Sequence, residues 1–491
     1  MTTHSPKYNK FAKNTSGMFL INIIINLSTI LLLAILTKNM PLNEYGLWVQ
    51  ITTTTGLTTI FALLGLNISM LRYVSGEKNK DKIKECFYSI FFIVIMSGLL
   101  VSSLIFLMSD QIANLLFDDN SNLVKILSAY ILFITLNTLI LNFFIGLQKI
   151  KTYGLLSFTK VSINIIIVSF FVVFLHYGIY GALIGSILSE LILLIISLSQ
   201  IIYNIGIIFP RLNNIKEYLS LGLPIIPSTI SDWVINSSDR YLIGIIIGIT
   251  FVGLYSPAYT LGNLLSMIYA PISSIILTSI SKGHGEEEHS YVEGLIKNSI
   301  KYYLFIGIPV FFGLSTLSKP LLTILTTTEI ANYSFFITPF TALTFLVVGL
   351  YNIIVNIIVL KKKTKIVGIT WTGAAVINLI LNLILIPIIG ILGAAIATLI
   401  SYVLAFFVVA YKSNEYVNIK ISYIFIFKTI ISSIPILILY CILNPIQLFD
   451  IIFFIMTSFL VYLIIMLILK GIGKKEVLFI KNLLKSFNFD I

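Results

Sequence analysis

Four residues carry chemistry that hydrocarbon does not normally tolerate: Asp232, Asn236, Asp239 and Arg240. They sit within LSLGLPIIPSTISDWVINSSDRYLIGIIIGI, Leu219 to Ile249. Steps of four, three and one residues place them on one helical face, within one or two turns of each other. A guanidinium is permanently charged and can grip an oxyanion bidentately. A carboxylate beside it can pair with it, or can cycle a proton or a sodium ion. Charges in an apolar membrane-length segment cost a few kcal/mol at least, roughly, and so face a bundle interior or a watery cavity. Pro224 and Pro227 lie just ahead and can break the helical hydrogen-bond ladder as a hinge. A broken helix with a charged inner stripe is the form of a membrane transport site.

The elements that position this stripe follow from composition. Of 491 residues, 58% are hydrophobic and 11% charged, with mean hydropathy +1.02, which excludes an ordinary soluble globular chain. The fold class expected is all-α and integral to a membrane. Runs of about 20 apolar residues predict about fourteen spans. The first six are Gly17–Leu36, Glu44–Met70, Ile83–Met108, Leu123–Leu147, Thr152–Leu175 and Ile179–Tyr203. The stripe forms the seventh, followed by Phe251–Ile280, Glu293–Leu317, Ala331–Leu360, Lys365–Pro387, Gly390–Tyr411, Ile421–Leu443 and Leu448–Leu469. Tight hairpins at the seventh–eighth and eleventh–twelfth junctions are also compatible with twelve or thirteen. The first run is too long for a signal-peptide core and is read as an uncleaved span.

The net charge of +12 is explained by placement rather than by nucleic acid. With the N-terminus inside, every Lys and Arg falls in alternate, cytoplasmic loops and ends except Lys38, Lys125, Lys319, Lys160 and Arg240. Both termini are therefore expected in the cytoplasm, in a cell membrane. Lys160 is expected to snorkel to the inner surface, which leaves Arg240 alone at depth. The tail from Gly471 reads as an amphipathic helix on anionic lipid. Two clusters are set aside. GHGEEEHS (Gly283–Ser290) reads as a solvated inner loop rather than a metal site. Lys361, Lys362, Lys363 and Lys365 mark an inner helix end. Cys86 and Cys441 form neither a disulfide framework nor a metal motif. No metal and no cofactor is expected.

An internal repeat is expected. EYGLWV at Glu44–Val49 resembles FVGLYS at Phe251–Ser256, and GIYGALIGS at Gly178–Ser186 resembles GILGAAIAT at Gly390–Thr398. Equivalent elements lie six spans apart, so the two halves share one orientation. This predicts half-bundles at 1–218 and 219–412, with spans thirteen, fourteen and the tail at 413–491. Gly46, Gly253, Gly178, Gly181, Gly390 and Gly393 are read as structural, permitting hairpins and close helix approach.

The EYGLW hairpin (Glu44–Trp48), the pattern GLPIIPSTISDWVINSSDRYLIG (Gly222–Gly244) with VGLYSPAYTL (Val252–Leu261), and NLILNLILIPIIGILGAAIATLISY (Asn378–Tyr402) resemble the Wzx-type polysaccharide and O-antigen flippases. These belong to the multidrug/oligosaccharidyl-lipid/polysaccharide exporter superfamily. The resemblance implies a 6+6 bundle with two added helices working by alternating access. It also implies a glycan on a polyprenyl phosphate or pyrophosphate, moved from the inner to the outer leaflet, and no enzyme activity.

Such a substrate needs positive charge in the cavity, and Arg240 fits, as an anion ligand or as an ion pair with Asp232 or Asp239. Asp232 is two turns away on nearly the same face and is expected as the better partner; Asp239 is expected to point elsewhere. Asp232, Asp239 and Glu190, the other deep acid, are candidates for a coupling proton or sodium ion, or for structural pairing. Asn22, Asn26, Gln50, Asn236, Tyr259 and Asn263 are candidates for the sugar, against the ordinary role of interhelical hydrogen bonding. The expected partners are a lipid-linked oligosaccharide and membrane lipid, and the chain is expected to act as a monomer. The competing readings are a drug or small-molecule exporter of the same superfamily, and a membrane glycan polymerase or ligase. The short outer loops oppose the latter.

Overall fold

The computed structural model describes residues 6–269, 272, 273, 276, 288–417 and 422–471. Every regular element among them is helical. The expected loop at 283–287 and the tail at 472–491 lie outside the described residues.

Helices α1 (Pro6–Asn39), α2 (Leu42–Leu63), α3 (Leu66–Val74), α4 (Lys80–Leu107), α5 (Ser109–Leu116) and α6 (Ser121–Gly146) come first. Then follow α7 (Ile150–Ser169), α8 (Gly178–Ile205), α9 (Ile215–Gly222), α10 (Ile226–Ile247) and α11 (Ile249–Asn263). The long helices beyond are Glu288–Leu325, Ile337–Leu360, Thr364–Ile389, Ile391–Asn414, Tyr423–Leu443 and Leu448–Ile468.

Among the described residues, eleven helices are long and apolar enough to span a membrane, and the bent pair α2–α3 makes twelve. That count matches the lower expectation of twelve and does not confirm fourteen, part of the expected eighth span lying outside the described residues. The seventh candidate carries Asp232, Asp239 and Arg240 within α10, and α11 is only 15 residues long. Of the two prolines, Pro224 falls at a break and Pro227 stands in the first turn of α10. Leu223–Ile225 forms a short 3-10 turn between α9 and α10, and each ring removes a backbone donor.

The chain forms two compact units. The first holds residues 1–260, 325–337 and 368–405; the second holds 261–324, 338–367 and 406–491. The apolar core of the first gathers around α3, α4 and α6, with the rings of Phe87 and Phe143 4.6 Å apart. In the second, Leu317 packs with Ile436, Ile451 and Phe454, and the Tyr462 hydroxyl donates to the Phe305 carbonyl at 2.7 Å. Large apolar side chains such as Ile424, Phe449 and Ile468 stand outward on the last two helices, as a lipid-facing surface requires.

Two backbone contacts in the first unit depend on glycine. A side chain at Gly46 would strike the Ile249 carbonyl, and one at Gly253 would lie 2.6 Å from the Leu42 carbonyl. The glycines singled out in EYGLWV and FVGLYS thus meet where α2 and α11 touch. At the α2–α3 bend of 57°, Gly65 (φ 69°) presses its backbone on that of Gly222, at the end of α9. Only a residue without Cβ combines that φ with that approach. The Ser69 hydroxyl donates to the Tyr218 carbonyl at 2.7 Å and fixes the same contact.

Candidate functional site

The stripe on α10 lies wholly within the first unit. Arg240 Nη1 donates to the Asn236 carbonyl at 2.6 Å and to Asp239 Oδ1 at 3.1 Å. Asp239 is fully buried and Arg240 nearly so, with 13% of its side chain exposed. The other Asp239 oxygen accepts from the Tyr255 hydroxyl at 2.6 Å, and its first oxygen also accepts the Arg240 backbone N–H at 2.9 Å. Neighbouring residues on a helix diverge by about 100°. A long arginine can nonetheless curl back onto a carboxylate already anchored from the next helix.

This corrects the expected pairing. Arg240 is held by Asp239, not by Asp232. Asp232 instead accepts from Asn236 Nδ2 at 3.1 Å, which removes it from the guanidinium.

The guanidinium carbon sits 4.5 Å above the Tyr259 ring, a cation–π geometry that favours the charge where water is scarce. Among the described residues, Arg240 Nε and Nη2 have no hydrogen-bond partner. One edge of the fork is locked and the other is open. Gln50, fully buried, donates from Nε2 to the Arg240 carbonyl at 3.1 Å, while its Oε1 has no protein partner.

One turn back, Asn236 is clasped on both sides. Its amide donates to Asp232, and its Oδ1 accepts from the Tyr402 hydroxyl at 2.7 Å. Tyr402 in turn meets Trp371 edge to face, with ring centroids 5.8 Å apart. The carboxylate of Asp232 is exposed. On a membrane helix, that places it towards a hydrated space rather than lipid.

The structure brings together Asp232, Asn236, Asp239, Arg240, Gln50 and Tyr259. No hydrogen bond among the described residues joins the other sequence candidates to this cluster. Asn26 donates to the Asn22 carbonyl at 2.9 Å along α1, and neither residue hydrogen-bonds to α10. Asn263 belongs to the second unit.

Glu190 is not a lone acid. Lys160 Nζ lies 2.8 Å from its Oε1, and Asn137 Nδ2 donates to its Oε2 at 2.7 Å. Lys160 therefore does not snorkel to the surface. It is held across the α7–α8 hairpin, because a partner carboxylate satisfies an ammonium better than a stretched path to the interface.

Tyr402 and the Lys160–Glu190 pairing were not singled out from the sequence. The latter left a partial signal: the two residues lie 16 and 12 residues either side of the turn at His176–Gly178, about one helical turn from level, which a long lysine side chain can bridge. Tyr402 left none.

Residues 11–284 match the model of a family described as polysaccharide biosynthesis protein. A curated relative is the probable low-salt glycan biosynthesis flippase Agl15 of Haloferax volcanii, 28% identical over 216 residues. That match spans 44% of this chain and about half the relative's length, 45%. Among solved structures, the lipid II flippase MurJ in an inward closed conformation superposes with a TM-score of 0.76 at 19% identity. It covers 91% of this chain and 97% of that one. An inward-facing MATE multidrug resistance transporter of the MOP superfamily gives 0.67 at 14%, covering 81% and 98%. At these identities the structural likeness establishes the fold. The family match reaches further: with residues 11–284 covered, this multi-pass membrane protein belongs to the polysaccharide biosynthesis protein family.

Proposed function

We propose that the chain is a flippase moving an oligosaccharide, carried on a polyprenyl phosphate or pyrophosphate, from the inner to the outer leaflet by alternating access. The observation that carries this reading is the half-occupied Arg240 fork. Asp239, Asn236 and Tyr259 fix one edge and the face of the guanidinium, while Nε and Nη2 are free. A phosphate oxyanion fits that free edge bidentately. It need not displace Asp239, whose second oxygen is already taken by Tyr255.

Asn236 and Asp232 continue the polar face towards the glycan, and the 3-10 turn at Pro224 is the element that flexes as α10 tilts. Lobes at 1–218 and 219–412 related by a repeat, a 413–491 appendage, and both termini in the cytoplasm belong to the same reading. The lysine distribution supports that orientation. Asp232, with its unshared carboxylate oxygen, is the remaining candidate for a coupling proton or sodium ion. The protein is read as acting alone in a cell membrane, without enzyme activity.

The test is leaflet-resolved detection of lipid-linked glycan in cells lacking this protein, complemented with wild type or with Arg240→Lys. Restored outer-leaflet glycan with wild type only is the expected result. Outer-leaflet glycan appearing normally without any copy sinks the proposal. A charge-reversed Arg240→Glu that transports small cations normally would favour the drug-exporter reading instead.

A further inference from the structure

At the end of the first unit where α1 finishes, three links converge. The first turn of α2, the α5–α6 loop and the α7–α8 turn enclose a cavity of about 430 Å³. Its wall includes Glu44, Asp118, Asn120, His176, Tyr177 and Tyr180, with no lysine or arginine, in a chain of net charge +12.

The wall is built rather than incidental. Glu44 Oε2 accepts the Ile179 backbone N–H at 2.9 Å and holds α8 against α2. The Tyr180 hydroxyl donates to Asn120 Oδ1 at 2.8 Å, which also accepts from the Leu123 N–H. These contacts orient the wall and leave other groups over. Glu44 Oε1, both Asp118 oxygens, the His176 ring and the Tyr177 hydroxyl have no hydrogen-bond partner among the described residues. Tyr177 is 56% exposed, with its ring against Phe171. Burial, and then the neighbouring Asp119 carboxylate, push the Asp118 pKa upward from its ordinary value.

We propose that this cavity is a subsite for one or two neutral sugar residues. Free carboxylate oxygens accept from the neighbouring hydroxyls of a sugar, and an exposed tyrosine ring offers the apolar face on which its C–H groups pack. The volume falls within the range of small-molecule pockets. The acidic, cation-free wall sets it apart from the Arg240 site and disfavours an anionic group. The inference rests on the reading that the substrate bears a glycan. In the orientation proposed above, the cavity opens on the outer side, where it would receive the glycan after the phosphate leaves Arg240.

The test is saturation-transfer NMR on the full chain in detergent, titrated with glucose, N-acetylglucosamine, glucuronate and, separately, calcium chloride. Saturation transfer to at least one neutral sugar is expected, weakened at least about tenfold in glucuronate and in Asp118→Asn. Asparagine tolerates the positive φ of 47° at that position, so this variant should fold. Tyr177→Ala gives an independent arm with the same expected loss. Absence of transfer to every sugar, equal transfer in both variants, or calcium binding alone would overturn the subsite. Binding needs no translocation. Intact sugar binding with failed flipping would therefore sink the proposed function only, and intact flipping without sugar binding would sink this site only.

Discussion

Among the described residues, the first unit holds two cation–carboxylate pairs on membrane helices, and they are built in opposite ways. Lys160 and Glu190 join two helices, α7 and α8, with Asn137 adding a third, α6. Arg240 and Asp239 are neighbours on one helix, and the link to the next helix runs through Tyr255 to the carboxylate. In the first pair the cation itself is the strap. In the second, the carboxylate is the strap, and the cation, pinned through Nη1, keeps Nε and Nη2 unused among the described residues. The same two charges thus serve cohesion in one place and leave chemistry available in the other. A buried charged pair is a sign of function only when one partner keeps donors to spare.

The comparison can be broken at either end. The largest effect expected is on stability, from Glu190→Ala. It strands the lysine beside Asn137 and costs about 2–3 kcal/mol, less than a wholly buried pair because Lys160 is partly exposed. Thermal unfolding in detergent should show this, and the double change Lys160→Met with Glu190→Met should recover most of it. If Glu190→Ala instead abolished transport at normal stability and abundance, the pair would not be a strap. Next comes Arg240→Lys, which keeps charge beside Asp239 but loses the fork. Translocation should fall about 10–30-fold with unfolding unchanged, and a variant transporting at the wild-type rate would remove Arg240 from the substrate path. Tyr255→Phe frees one Asp239 oxygen and should cost about 1 kcal/mol in stability. Its transport rate should drop less than Arg240→Lys, since the guanidinium keeps its Asn236 and Tyr259 contacts. The smallest effect belongs to Tyr402→Phe, about 0.5–1 kcal/mol from one lost hydrogen bond to Asn236. A large transport defect there would mean that Asn236 must be held for the substrate rather than merely for packing.

Much of this was legible in the chain. Spacing alone placed Asp232, Asn236, Asp239 and Arg240 on one helix, and two prolines marked the turn before it. The sequence marked Gly46 and Gly253 as glycines allowing close helix approach, though not that they approach each other. What spacing could not supply was side-chain reach. Helical geometry sends Cβ of residues 239 and 240 apart, yet arginine is long enough to return, so Asp239 rather than Asp232 became its partner. Partners from distant elements were equally hidden. The Tyr402 hydroxyl reaches Asn236 across 166 positions, and no local pattern announces it. On α1 the spacing is equally silent about partners: the Asn26 amide donates to the Asn22 carbonyl of its own helix.

The meeting of Gly46 with Gly253 bears on motion as well as on packing. Most helix contacts interlock by side-chain ridges set in grooves, and turning one helix against the other means lifting those ridges out. Where α2 meets the start of α11, main chain rests on main chain near the Leu42 and Ile249 carbonyls. The Ile249 and Leu42 side chains flank the two glycines, so one partner in each contact offers no ridge. We expect that contact to act as a pivot, for a helix that begins one residue after the α10 cap at Gly248. A methyl group added at either glycine would overlap a backbone carbonyl across the joint, and should weaken the fold as well as slow rearrangement.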